Sequence, residues 1–264
     1  MTAAALGPGA LGAASVLLLA SAGLSLALGL GLARTLLVAG VRMVVQLLLV
    51  GLLLKTVFAL HSPWLVGAVL LAMFTSAGYE ILSRQERRLA GLWRFGLGAG
   101  TTGVATLLAA ALGLAALRPQ PWFEPQVLIP LAGIVLGSVM NGVSVGLNAF
   151  TVGLVRERAA IEAQLALGAT RQAALAPLQR SALRSGLIPI VNQMSAAGVI
   201  TLPGMMTGQI LAGMAPYAAA QYQIFILLLL AGAAALGALA TTALAVRRAT
   251  DERHRLRLDR LAPG

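Results

Sequence analysis

Seven stretches of roughly 20 or more predominantly apolar residues, parted by short polar clusters, constrain this chain more than any other feature. A helix needs about 20 such residues to cross the hydrocarbon core of a bilayer. Backbone groups inside that core must bond within their own segment, so each stretch is expected to be an α-helix. The stretches run near Leu11–Leu32, Leu36–Leu60, Trp64–Ser83, Phe95–Leu117, Val127–Val155, Gly186–Met214 and Tyr222–Val246. The chain is 59% apolar and only 10% charged, against about a quarter charged in a soluble domain. The expectation is an all-α integral membrane protein, a single membrane domain over residues 1–264. No Lys or Arg precedes Arg34, so the first stretch lacks the positive flank of a signal peptide and reads as a retained span.

Charge orients the spans. Sixteen basic residues fall between stretches one and two, three and four, five and six, and after the seventh. The opposite connections hold two, Lys55 and Arg118, and Arg42 lies inside a span. This asymmetry places the N-terminus outside and the C-terminus, with its basic tail 247–264, in the cytoplasm. Trp64, Trp93 and Trp122 stand at span edges, where amphipathic rings suit the headgroup layer. The net charge of +11 thus serves topology, and nucleic acid is not an expected partner. The tail reads as a frayed basic helix on the lipid surface. There is no cysteine, which removes disulfides, thiolate metal sites and thiol nucleophiles.

Two motifs resemble catalytic ones and fail on context. Gly142-Val143-Ser144-Val145-Gly146 has the spacing of a nucleophile elbow, which needs a strand, a tight turn and a histidine. Here it lies within a span, and the two histidines, His61 and His254, sit at opposite ends of the expected topology. Gly98-Ala99-Gly100-Thr101-Thr102-Gly103 has a dinucleotide-binding spacing without the preceding strand, and reads as close helix contacts. The single lysine, Lys55, follows Leu54, so there is no phosphate-binding loop of the GxxxxGK type. No catalytic residues are expected. Any energy for driven transport comes from another subunit.

Polar residues inside the spans mark the candidate path. Ser138, Asn141, Ser144 and Asn148 fall on one broad face of span five, and Gly142, Gly146 and Gly153 on another. The polar face either lines a route or bonds neighbouring helices. Arg42 and Gln46 share a face of span two. Arg42 either snorkels to the headgroups or pairs within the bundle, where Glu80 is the available acid. Span six, with Asn192 and the run Pro203-Gly204-Met205, is interrupted by the Pro-Gly pair, as helices near transporter substrate sites often are. The methionines of this region read as core fillers, and no metal ligands are assigned.

Between spans five and six lies a polar segment, 156–184, containing "IEAQLALGAT" (Ile161–Thr170). Glu157 to Leu167 are helix formers, Gly168 is the usual left-handed stop, and Thr170 suits the cap of a second helix from Arg171 to about Arg184. Pro177 is expected to kink or split that second helix. The result is a helix–turn–helix elbow on the cytoplasmic side.

The stretch Glu162-Ala163-Gln164-Leu165-Ala166-Leu167-Gly168 resembles the EAA-x3-G signature of ABC transporter permeases, with Gln164 departing from the second alanine. Together with "LALGAT" (Leu165–Thr170), "LIP" (Leu187–Pro189), "LPGMMTGQILAG" (Leu202–Gly213), "YQI" (Tyr222–Ile224) and the "VRMVVQLLLVG" of span two, it resembles the FetB family. These are bacterial permeases implicated in iron export, related to plant aluminium-tolerance permeases. The resemblance implies a multi-pass permease of the bacterial inner membrane, present as two copies, which binds no cofactor itself. A soluble ATPase partner would use the ATP, and Glu162, Ala163, Gly168 and Arg171 would couple the two. It implies metal export, with iron the leading cargo. A stand-alone secondary transporter or channel is the alternative, and would need titratable groups in the membrane or an internal repeat.

Overall fold

In the computed structural model, residues 8–91, 93–251, 253 and 255–261 are described. His254, considered above as a catalytic partner, lies outside them. Nine α-helices form among the described residues: α1 (Pro8–Ala27), α2 (Ala33–Leu60), α3 (Pro63–Ser83), α4 (Trp93–Leu117), α5 (Pro125–Arg156), α6 (Arg158–Ala166), α7 (Arg171–Ala196), α8 (Gly204–Leu211) and α9 (Pro216–Ala249). Six of them, α1 to α5 and α9, are long and apolar enough to cross a membrane. The protein is therefore a multi-pass, all-α membrane protein. The helices gather into two compact units, one reaching to Ser62 and one starting at Pro63.

The first unit is the pair α1 and α2. Gly29 and Gly31 take positive φ angles of 64° and 70° in the turn between them, a conformation that side chains with a Cβ resist. Gly40 lets the two helices approach, since a Cβ there would sit 2.7 Å from Leu18. Nearly every residue of α2 is exposed, Arg42 and Gln46 included. An apolar helix without a buried face is one whose solvent is lipid.

In the second unit, α5 is the central post, packed by α3, α4, α7 and α9. Two apolar clusters stack along it. One contains Val135, Val139 and Val143 of α5 with Ile190 of α7 and Leu230 and Ala234 of α9. The other contains Phe150 and Leu154 of α5, Ile161 of α6, Leu175 and Leu178 of α7, and Ala245 and Val246 of α9. Helix association in lipid depends on close packing more than on water exclusion, and small residues permit it. A Cβ on Gly186 of α7 would stand 2.6 Å from the carbonyl oxygen of Gly142, and one on Gly146 would stand 3.3 Å from that of Ala182. The pairs Gly142/Gly146 and Ala182/Gly186, each four residues apart, thus bring the α5 and α7 backbones together. Span five's glycine face is its packing face, as the sequence suggested.

Three expectations change. Helix α7 runs unbroken through Pro177 and Pro189, with no boundary near Arg184. Ala174, Leu175, Leu178 and Ala182 are buried around Pro177, and their packing outweighs the one lost backbone bond. The stretch Gly186–Met214 is interrupted, as expected, but the break begins at Ala197, ahead of the Pro-Gly pair. The stretch comprises the end of α7, a turn over residues 197–203, and the short α8. Gly198 at φ 82° closes the turn by donating to the Thr201 carbonyl at 2.8 Å, and Pro203 precedes α8 instead of bending a helix. Finally, beyond Ala249 the described residues of the tail form no α-helix. They fold back: Arg257 donates to the Ala249 carbonyl at 2.8 Å, Ala90 donates to that of Arg260 at 2.7 Å, and Leu256, Leu258 and Leu261 join the second cluster. Leucines two apart leave no helical stripe, but suit an extended strap over a single 3-10 turn, Leu258–Arg260. Arg257 hydrogen-bonds Asp259 and holds its carboxyl down at about 2, and Asp251 is likewise lowered, chiefly by the Arg255 backbone N–H.

Candidate functional site

The cleft and the elbow are two ends of one helix trio. A cleft of about 280 Å³ opens between α5, α7 and α9. Its polar groups are Ser138 and Asn141 of α5 and Gln193 of α7, and its floor is the glycine contact of Gly142 and Gly186. The floor explains why the cleft exists: bulkier residues would part the helices there, and above it the helices diverge around small side chains. The three polar groups are a hydroxyl and two carboxamides, which both donate and accept hydrogen bonds. No carboxylate lines the cleft. Gln193 was not singled out in the sequence. It faces Asn141 across two helices, and only the α5–α7 register, set by the glycines, reveals that.

The polar face of span five therefore divides. Ser138 and Asn141 line the cleft, whereas Asn148 ties down the loop after α3. Its Oδ1 accepts from the Glu86 backbone N–H at 2.9 Å, and its Nδ2 donates to the Glu86 carboxylate at 3.4 Å. Ser144 is buried, and its carbonyl accepts from Gln85 Nε2 at 3.1 Å. Glu80 pairs with Arg84, just past the end of α3, at 3.1 Å. Asn192 is exposed on α7, next to the cleft residue Gln193. Gly204 opens α8, and Met205 packs against the first cluster. Ser144 lies inside α5 and the Gly98–Gly103 stretch inside α4, so neither motif has its strand and turn. Among the described residues, no group of three His, Asp or Glu could hold a metal ion.

At the other end, α6 leaves α5 through Glu157 and ends at Leu167. Gly168 takes φ 89°, and the Thr170 hydroxyl caps α7 by accepting from the Ala173 N–H at 3.3 Å. Glu162 pairs with Arg158 one turn away at 2.8 Å. The inner face of α6 buries Ile161, with Leu165 and Ala169 partly covered. The outer face exposes Glu162, Ala163 and Leu167, the last 88% exposed. A leucine at the tip of a polar elbow is a residue the sequence reading passed over. The signal was available: it immediately precedes the glycine stop.

These features define a class, a multi-pass helical membrane protein with a small-residue helix trio around a polar cleft. The sequence profile described as "Uncharacterised protein family (UPF0014)" matches residues 8–250, and the chain belongs to that family. It is 40% identical over 231 residues to the UPF0014 membrane protein slr1647 of Synechocystis, covering 86% of this chain and 88% of that one. It is 30% identical to the probable iron export permease protein FetB of Escherichia coli, over 81% of each chain. It is 32% identical to the UPF0014 membrane protein STAR2 of rice, over 87% of this chain and 79% of the other. No solved structure gives a significant match.

Proposed function

We propose that the chain is the permease subunit of an ABC transporter that exports a metal cation, iron foremost, and is driven by a separate soluble ATPase. Two copies form the membrane pathway. The observation that carries this reading is the elbow. Its outer face offers Glu162, Ala163 and Leu167, while Ile161 and Leu165 fix its inner face to the cluster shared by α5, α7 and α9. A push on the elbow thereby reaches the same three helices that bound the cleft. The similarity to FetB supports the cargo, and the EAA-like spacing from Glu162 to Gly168 supports the engine.

In this reading α7 and α8 together make the seventh crossing. Arg171, Arg180 and Arg184 lie at or near the cytoplasmic side, the N-terminus is outside, and the strap formed by the tail is cytoplasmic. The cargo passes Ser138, Asn141 and Gln193. Oxygen donors of this kind suit a hard or borderline cation held weakly enough to leave. Arg42, Gln46 and Glu80 remain candidates for the path on the same footing as Asn192, and Pro203 and Gly204 for the hinge of the crossing.

The test is co-purification. A tagged chain should bring down an ATPase whose hydrolysis rises when the two are joined. Leu167→Glu should release the ATPase, because it places a charge at the apolar tip, while leaving insertion and thermal unfolding unchanged. Retention of the ATPase by that variant would count against the elbow as the docking element.

A further inference from the structure

The outer surface of α4 and α9 carries a groove of about 660 Å³. Gly96, Gly100 and Val104 form one wall, and Leu236, Ala240 and Leu244 the other. It runs from Trp93 to Leu108 along α4, roughly 22 Å at 1.5 Å per residue. One leaflet of a bilayer is about 15 Å of hydrocarbon. The groove is thus about one and a half leaflets long, and its lining is almost wholly apolar. Gly96 and Gly100 have nothing within 4 Å of where a Cβ would be, so the space is real at both positions. Thr101, the one polar residue on the wall, turns its hydroxyl inward to the Leu97 carbonyl and to Thr241.

The end of the groove is different. The guanidinium of Arg248 lies 5.5 Å from the centroid of the Trp93 ring. Its Nε is buried and has no hydrogen-bond partner, and Arg248 forms no ion pair among the described residues. Other arginines of this end do: Arg255 binds Asp251 and Arg257 binds Asp259. Helix α9 is held where it places Arg248 at this mouth, since Arg260 donates to the Arg248 carbonyl at 3.0 Å. A cation without an acidic partner, seated on the indole that lines the end of an apolar channel, fits a molecule with an anionic head and a long apolar chain.

We propose that this groove binds an anionic phospholipid, one acyl chain lying along Gly96, Gly100 and Ala240 and the phosphate meeting Arg248 beside Trp93. The occupant is a bilayer lipid: free phosphate would leave the apolar length unfilled. Because Ala245 and Val246, one turn before Arg248, belong to the cluster that holds the elbow, the lipid would brace the cytoplasmic end of α9.

Trp93 itself reports the test. In a Trp64→Phe/Trp122→Phe background, the protein is placed in phosphatidylcholine vesicles, and Trp93 fluorescence is titrated with brominated phosphatidylglycerol or brominated phosphatidylcholine. The anionic lipid should quench at about fivefold lower mole fraction, the preference expected of one arginine near the surface. Arg248→Gln should bring the two lipids to parity. Gly100→Leu, whose Cβ meets no other atom and whose side chain projects into the groove, should weaken quenching by both, whereas Gly67→Leu on the open side of α3 should change neither. Equal quenching by the two lipids in the parent, or an undiminished preference in Arg248→Gln, would overturn the proposal. So would cross-linking between two copies through a cysteine at position 100 with no lipid preference, since the groove would then be a protein interface.

Discussion

At the scale of single residues, the division of span five matters most. Asn141 and Asn148 sit seven positions apart and look alike in sequence, yet one faces the cleft and the other holds the Glu86 loop. Asn141→Leu is expected to lower export about tenfold, the effect of losing one hydrogen bond of ~1.4 kcal/mol to the moving cargo, with normal yield and melting. Asn148→Leu is expected to lower thermal stability instead, by about 1 kcal/mol, with export per folded molecule retained. Gly186 carries a third expectation. A leucine there drives into the Gly142 backbone, which cannot yield as a side chain would, and should destabilise the protein by about 1–3 kcal/mol in detergent melting. The sequence shows the two Asn and the glycine runs, but not their assignment. Hydrogen-bond partners more than sixty residues away, such as Glu86, are set by tertiary register, which helical periodicity does not contain.

At the scale of elements, the elbow was legible because its signals are local. Gly168 for the positive φ and Thr170 for the cap act within a turn of themselves, and α6 ends and α7 begins where those residues dictate. The break after α7 was less legible. Pro203 was visible, but the turn starts at Ala197, six residues earlier, through Gly198. Pro177 was visible too, and does not split α7, because burial on both sides overrides a local preference. Gly168→Pro should abolish coupling between ATP hydrolysis and transport, since proline is fixed near φ −65° and this site needs 89°. Membrane insertion, read by fractionation, should be unchanged. The strap makes a prediction of its own. Asp259 is held near 2 by Arg257, so its contribution is full above the ordinary carboxylate range and is lost as pH falls from about 4 towards 2. The protection of the Arg257 amide, whose N–H is bonded to Ala249, measured against its intrinsic exchange rate, should fall over that window and hold at pH 5.

At the scale of the whole molecule, apolar length and charge asymmetry were enough to read a multi-pass helical protein, and the family match agrees. The division at Ser62 and the stacking of two clusters along α5 were not readable, for both depend on which apolar faces meet, and in lipid every apolar face is a candidate. In the proposed mechanism, work done by a separate ATPase would enter at Leu167 and Gly168, travel through the packed ends of α5, α7 and α9, and open the cleft at Asn141 and Gln193. Flux of iron in sealed vesicles measures it most directly. With the ATPase partner and ATP on the elbow side, iron should move against its gradient, and removing ATP or the partner should stop it. Uphill iron movement by this chain alone, without nucleotide, would contradict the account.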